Sequence, residues 1–278
     1  MTSRADPPID ATIEAWAECN GVSLRYRISG AGPRSLMLFN GLGNTLEAWE
    51  PVARRLDRDF RLLRFDQRGS GQSEKVRAAF TLADLVADAK ALIASIGLAP
   101  PYGLASQAAG AAVALAFAAA HVSETSAVGM CAPATGATPE RARLLIERSE
   151  GAIREGMRAV IGDSLERSWP EAMRADRAAF EDYRARLLAA DPVGYALANR
   201  VLATADLEDV IAALDIPCLV LAGRQDVMRP PESLELLVRR MKRAELQVIE
   251  APHLMIMHCP DTVADALGAF FRQYMEPR

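Results

Sequence analysis

The stretch Ala105-Ser106-Gln107-Ala108-Ala109-Gly110-Ala111 constrains the fold of this chain more than any other. An apolar run precedes it, and Ala112-Val113-Ala114-Leu115-Ala116-Phe117 follows with no polar spacer. The pattern reads as a buried strand that turns abruptly into a buried helix. Such a reversal needs small residues on both sides of its tip, because larger side chains collide where strand and helix cross. Two registers are open. With Ser106 at the tip, the residue two before it is the bulky Leu104, and the helix begins late. With Ala108 at the tip, the flanking residues are Ser106 and Gly110, both small, and the helix through Val113-Ala114-Leu115 starts on time. The second register is the better one. It places a side chain with no reactive group at the strained position.

The rest of the chain alternates strand and helix around this turn. Thr12 to Glu18 and Val22 to Ile28 predict two strands joined at Asn20-Gly21, a hairpin signal. Ser35 to Phe39 predicts the first buried strand, opening into Asn40-Gly41-Leu42-Gly43-Asn44. Thr45 to Leu56 has helical spacing, and Arg61 to Phe65 is a strand ending in Asp66-Gln67-Arg68-Gly69-Ser70-Gly71-Gln72-Ser73. Asp66 and Arg68 are expected to shape that loop rather than do chemistry. Thr81 to Ile96 is a helix with Thr81 as its N-cap and Gly97 beyond its end. Thr125 to Cys131 is a further strand. Pro217 to Leu221 and Glu245 to Ile249 supply two more, with helices over Pro230 to Met241 and Pro260 to Tyr274. This alternation predicts an α/β fold with a mostly parallel sheet flanked by helices. Residues 136–206 interrupt it with a helical stretch, read as a lid over the carboxyl ends of the strands. The predicted organisation is a tail over 1–10, a core over 11–135 and 207–278, and the lid between.

Composition narrows the function. A net charge of −4 with no basic run argues against a nucleic-acid partner. No run of ~18 apolar residues exists to span a membrane, and Met1 to Asp10 lacks the apolar core of a secretory signal. The four cysteines are scattered with no C-x-x-C pair, so they read as reduced, in a cytoplasmic protein. The three histidines show no metal-ligand spacing, so no metal is expected. Oligomeric state stays open, a homodimer included.

Asp226 follows one predicted strand and His253 follows the next, so both project from the sheet edge that carries the residue 108 turn. A lone histidine more often packs than reacts. Two such residues at one topological location predict a base, His253, oriented by an acid, Asp226. The backbone N–H groups of Leu42 and Ala109 are placed to stabilise an oxyanion. Asn40, Gly41, Gln107, Trp169 and Arg158 are the expected substrate-contacting positions, and Arg141 and Arg154 are further candidates for a substrate carboxylate. His121 and His258 are expected to be structural.

Taken together, the turns at residues 40–44, 66–73 and 106–110, Gly223-Arg224-Gln225-Asp226 and Pro252-His253 resemble the α/β-hydrolase superfamily over residues 12–275. The tip, Asp, His chain order is that superfamily's, and the 106–110 turn resembles its G-x-S-x-G nucleophile elbow. Within it the chain is most similar to the 3-oxoadipate enol-lactonase group. The similarity runs through Asn40, Gly156-Met157-Arg158-Ala159-Val160, Arg167-Ser168-Trp169 and Asp191-Pro192-Val193-Gly194-Tyr195-Ala196. The resemblance implies a small ester or lactone as substrate and no cofactor. The departures are Ala108 where the family has Ser, Ser106 where it has Gly, and Pro252 before the histidine. Three readings of Ala108 remain: a substitution introduced into a serine hydrolase, a natural enzyme using His253 and Asp226 as a general base, or a ligand-binding protein without turnover. Ser106 as a displaced nucleophile belongs to the second reading, although its side chain is expected to face away from the pocket. Nucleophilic-aspartate chemistry is excluded, since it needs a carboxylate at 108.

Overall fold

The computed structural model describes residues 12–276. The predicted tail over 1–10 lies outside the described residues. Eight strands form one sheet: β1 (Ile13–Cys19), β2 (Val22–Ser29), β3 (Arg34–Phe39), β4 (Phe60–Phe65), β5 (Tyr102–Gln107), β6 (Thr125–Cys131), β7 (Cys218–Gly223) and β8 (Ala244–Ile249). Their spatial order is β1-β2-β4-β3-β5-β6-β7-β8. The first two pairings are antiparallel and the remaining five are parallel. This is the α/β-hydrolase fold, as expected.

The helices are α1 (Glu50–Leu56), α2 (Leu82–Ser95), α3 (Gly110–Ala120), α4 (Pro139–Glu155), α5 (Arg158–Ser168), α6 (Arg177–Leu188), α7 (Pro192–Thr204), α8 (Glu208–Ala213), α9 (Pro231–Val238), α10 (Met255–His258) and α11 (Pro260–Tyr274). The sheet is covered on both faces, and β3 displays the division. Leu36 and Leu38 pack with Trp49, Leu56 and Phe271, on the α1 and α11 side. Met37 and Phe39 pack with Leu92, Leu115 and Phe117, on the α2 and α3 side. Alternate residues of a strand face opposite ways, so a strand covered on both sides must be apolar throughout. At the edge the rule reverses: β1 alternates between half-buried and exposed positions.

Local chemistry sets the boundaries. Asn20 and Gly21 both adopt left-handed conformations, at φ 50° and 76°, which a two-residue hairpin turn requires. Thr81 and Asp84 form a reciprocal capping box at the start of α2. The expected helix over Thr45 to Leu56 is broken into a 3₁₀ turn (Leu46–Trp49) followed by α1, because Pro51 has no N–H to continue a single ladder. The loop after β4 is organised as predicted. Asp66 accepts the backbone N–H groups of Leu46 and Gln72, each at 2.8 Å. Arg68 pairs with Asp88 on α2.

Between β6 and β7, helices α4 to α7 form a separate helical layer with its own small core. Met157, Ile161 and Leu165 repeat at helical spacing and meet Trp169, Phe180, Tyr183 and Leu187. Leu254, which follows the β8 end of the sheet, belongs to the same cluster and ties this layer to the core.

Candidate active site

Strand β5 ends at Gln107, α3 begins at Gly110, and Ala108 sits between them at φ 49°. For a residue with a Cβ this left-handed conformation costs roughly 1–2 kcal/mol, and surrounding contacts must hold it. They do so on both sides. The Ala108 N–H donates to the Cys131 carbonyl, and the Ala134 N–H donates to the Ala108 carbonyl, both at 2.9 Å. Ser106 is fully buried with its hydroxyl directed to the Gly129 carbonyl on β6, at 3.4 Å. It therefore does not face the pocket.

Two N–H groups flank the tip. Ala109 sits at the N-terminus of α3, where intrahelical acceptors are missing. Leu42 lies in the turn after β3. Among the described residues, neither N–H has a backbone acceptor. The turn presses close to the tip: a Cβ on Gly41 would lie 3.4 Å from the Ala108 Cβ. The Gly41–Leu42 turn and the start of α3 therefore meet beside position 108.

His253 and Asp226 complete the group. Nδ1 of His253 lies 2.8 Å from Oδ2 of Asp226. The other Asp226 oxygen accepts the N–H groups of Met228 (2.7 Å) and Arg229 (2.9 Å). Burial pushes the Asp226 carboxyl up, but the hydrogen bond and charge of His253 and these two N–H groups outweigh it. The acid is held below its ordinary range. His253 in turn lines a cleft together with Gly41, Leu42, Ala108 and Ala109. The far wall comes from the helical layer, including Arg148, Tyr183 and Tyr195.

The family model described as "Serine aminopeptidase, S33" (Hydrolase_4) matches residues 33–258, spanning every element just described except the first hairpin and α11. The chain belongs to this α/β-hydrolase family. It is 23% identical over 261 residues to 3-oxoadipate enol-lactonase 1 of Acinetobacter baylyi, covering 91% of this chain and 94% of that protein. Among solved structures it resembles a malate-bound thermophilic esterase from Thermogutta terrifontis (TM-score 0.89, 26% identity, 95% of this chain and 100% of that one). It also resembles the enol-lactonase from Burkholderia xenovorans LB400 (TM-score 0.88, 27% identity, 93% and 100%). The family and these neighbours are of esterase and lactonase type.

In this α/β-hydrolase, Ala108, Ala109, Leu42, Gly41, Asp226 and His253 come together at one end of the sheet. Four other expected contacts sit elsewhere. Gln107 is buried and donates to the His253 carbonyl at 3.0 Å, so it fixes the histidine loop instead of facing the cleft. Asn40 donates to the Phe65 carbonyl at 2.8 Å and anchors the turn that carries Leu42. Asn40 and Gln67 line a second, smaller cavity, and neither Asn40 Oδ1 nor Gln67 Nε2 has a hydrogen-bond partner among the described residues. Trp169 is buried in the core of the helical layer, edge-on to Phe180 at 5.7 Å, with its ring N–H donated to Met173. Arg158 is exposed, because the inward stripe of α5 is Met157, Ile161 and Leu165 and position 158 lies one step around the helix. Arg154 is likewise exposed and paired with Glu155.

The sequence reading missed Arg148 and Arg229, both of which line the cleft, while the flagged Arg141 does line it. Arg148 was findable: it stands two helical turns after Arg141, on the same face of α4. His121 packs against Phe117 and His258 against Trp169. No group of three or more metal-ligating side chains occurs among the described residues. None of the described helices is long and apolar enough to cross a membrane.

Proposed function

We propose that this cleft is the active site of a carboxylic ester or lactone hydrolase in which position 108 is the seat of the nucleophile. The observation that carries the proposal is Ala108 held at φ 49° beside two unpaired N–H groups and the His253–Asp226 pair. With a hydroxyl at 108, Nε2 of His253 would take its proton as the oxygen attacks the substrate carbonyl. Asp226 would fix the ring tautomer through Nδ1 and stabilise the imidazolium. The Leu42 and Ala109 N–H groups would receive the developing oxyanion. Its collapse would break the ester C–O bond as the imidazolium returns its proton to the leaving alkoxide. Water deprotonated by the same histidine would then release the acid and restore the hydroxyl. With Ala108 the same pocket holds the substrate, but no acyl-enzyme forms. The loss of such a nucleophile costs roughly 10⁶ in kcat. The helical layer acts as a lid that shapes the acyl pocket.

One observation favours a second reading. The His253–Asp226 pair is complete without a serine, and among the described residues Asp226 is the only hydrogen-bond partner of the His253 ring, through Nδ1. Nε2 can therefore serve as a general base on water or on an acidic C–H of a bound substrate.

The test is turnover of p-nitrophenyl esters and small lactones by the chain and its Ala108→Ser variant. Hydrolysis by the variant alone supports the first reading. Hydrolysis by the parent that disappears in His253→Ala supports the second. Silence of the Ser variant across the panel overturns the first.

A further inference from the structure

Most arginines of this chain meet a carboxylate. Arg25 pairs with Glu14, Glu47 and Asp66, Arg64 with Glu50, and Arg68 with Asp88. The arginines around the cleft do not. Arg141 and Arg148 on α4, Arg167 on α5, and Arg229 after β7 have no side-chain hydrogen bond or ion pair among the described residues. The bonds these residues do make are through the backbone: the Arg141 N–H donates to the Thr138 hydroxyl and the Arg229 N–H to Asp226. All four are half-buried.

Their placement is ordered. Arg148 lines the inner cleft that contains Ala108 and His253. Arg167 lines an adjoining outer chamber, bounded also by Thr138, Asp206 and Glu208. Arg141, Arg229 and Met228 line both, so the two guanidinium-bearing chains stand where the chambers meet. The acids of the outer chamber are already engaged: Glu208 pairs with Arg240, and Asp206 caps the Glu208 N–H. Burial and the charges of Arg148, Arg229 and Arg167 hold the Arg141 guanidinium below its ordinary value. Like charges gathered in a partly dry cleft oppose folding unless something neutralises them.

We propose that the neutralising group is the ligand, and that it carries at least two carboxylates. One lies in the inner cleft against Arg148, and the other reaches past Arg141 and Arg229 toward Arg167. The substrate is accordingly an ester or lactone of an aliphatic polycarboxylic acid, its reacting carbonyl at Ala108 and its free carboxylates on the arginines. Planar guanidinium groups suit this role, since each can grip a carboxylate through two parallel hydrogen bonds. The inference rests on the cleft being the substrate pocket.

Binding tests it without any turnover. Isothermal titration of the Ala108 chain with succinate, glutarate and adipate, and with the monomethyl and dimethyl esters of each, measures what each charge contributes. At least one diacid is expected to bind roughly tenfold or more tighter than its monoester, and the diester weaker still. Arg148→Gln and Arg167→Gln are each expected to abolish the diacid-over-monoester preference, whereas the exposed Arg58→Gln leaves it intact. Both cleft variants should melt no lower than the parent when no ligand is present, because each relieves repulsion. That separates lost binding from lost folding, and Arg148→Lys should retain part of the preference. Binding of no diacid, equal binding of diacid and diester, or an unchanged preference in Arg148→Gln overturns the proposal. Hydrolysis of uncharged p-nitrophenyl acetate by Ala108→Ser reads the hydrolase proposal separately, since that substrate needs no arginine.

Discussion

Nδ1 of His253 and Oδ2 of Asp226 lie 2.8 Å apart across 27 residues of chain, each delivered by the loop after a neighbouring strand. The pair is buried, and Asp226 is held in its charged form by His253 and two backbone N–H groups. In an Ala108→Ser background, Asp226→Asn is expected to lower kcat by about 10⁴, because the histidine loses its fixed tautomer. Steady-state kinetics against a p-nitrophenyl ester checks this, and a loss under tenfold would remove Asp226 from the mechanism.

The same carboxylate makes a pH prediction. Its folded-state pKa is depressed, so its stabilising contribution is fully present above the ordinary value of about 3.9. The contribution is lost as pH falls through the lower folded value. Urea melts below pH 4 should show a shallower decline for Asp226→Asn than for the parent.

Gly110 has a different constraint. A Cβ there would lie 2.6 Å from the Phe39 carbonyl oxygen and 2.7 Å from that of Asn40, both backbone atoms that cannot swing aside. Gly110→Ala is expected to destabilise the fold by about 3 kcal/mol, at the upper end for overpacking. Equilibrium denaturation measures it, and an unchanged midpoint would contradict the close crossing of β3 and α3.

Away from the cleft, Glu50 joins the buried Arg64 (2.6 Å), Arg27 (2.9 Å) and Arg54 (3.1 Å). Burial pushes the Glu50 carboxyl up, but Arg64 foremost pulls it down to about 2 from 4.5. The folded value is depressed, so the stability it supplies is present above pH 4.5 and fades between there and pH 2. Glu50→Gln is expected to cost about 3 kcal/mol near neutrality, because Arg64 is left buried and unpaired. It should also flatten the stability profile between pH 4.5 and 2.

Asn40 anchors the turn that carries Leu42 through the Phe65 carbonyl without lining the cleft. In the Ala108→Ser background, Asn40→Ala should lower kcat roughly 10- to 100-fold, since a displaced donor costs that order. KM should change little. A change confined to KM would make Asn40 a substrate contact after all.

Much of this was legible in the chain. Small residues at 106 and 110 located the tip, and apolar runs located the buried strands. Asp226 and His253 stood out because each follows a strand. These signals are local in sequence or fixed by topology. The side chains misassigned to the cleft failed for a different reason. Gln107, Trp169 and Arg158 lie beside pocket-forming segments in sequence, but side-chain direction depends on helix phase and on partners far along the chain. Gln107 is held by His253, 146 residues away. The phase of α5 follows from Met157, Ile161 and Leu165 packing on α6, which no single segment reveals.

Position 108 as the nucleophile's seat is tested by intact-protein mass spectrometry of Ala108→Ser after exposure to an alkyl fluorophosphonate, followed by peptide mapping. One adduct is expected on residue 108, lost when His253→Ala is added and absent from the parent chain. No adduct on the folded variant, or an adduct on Ser106, would contradict it.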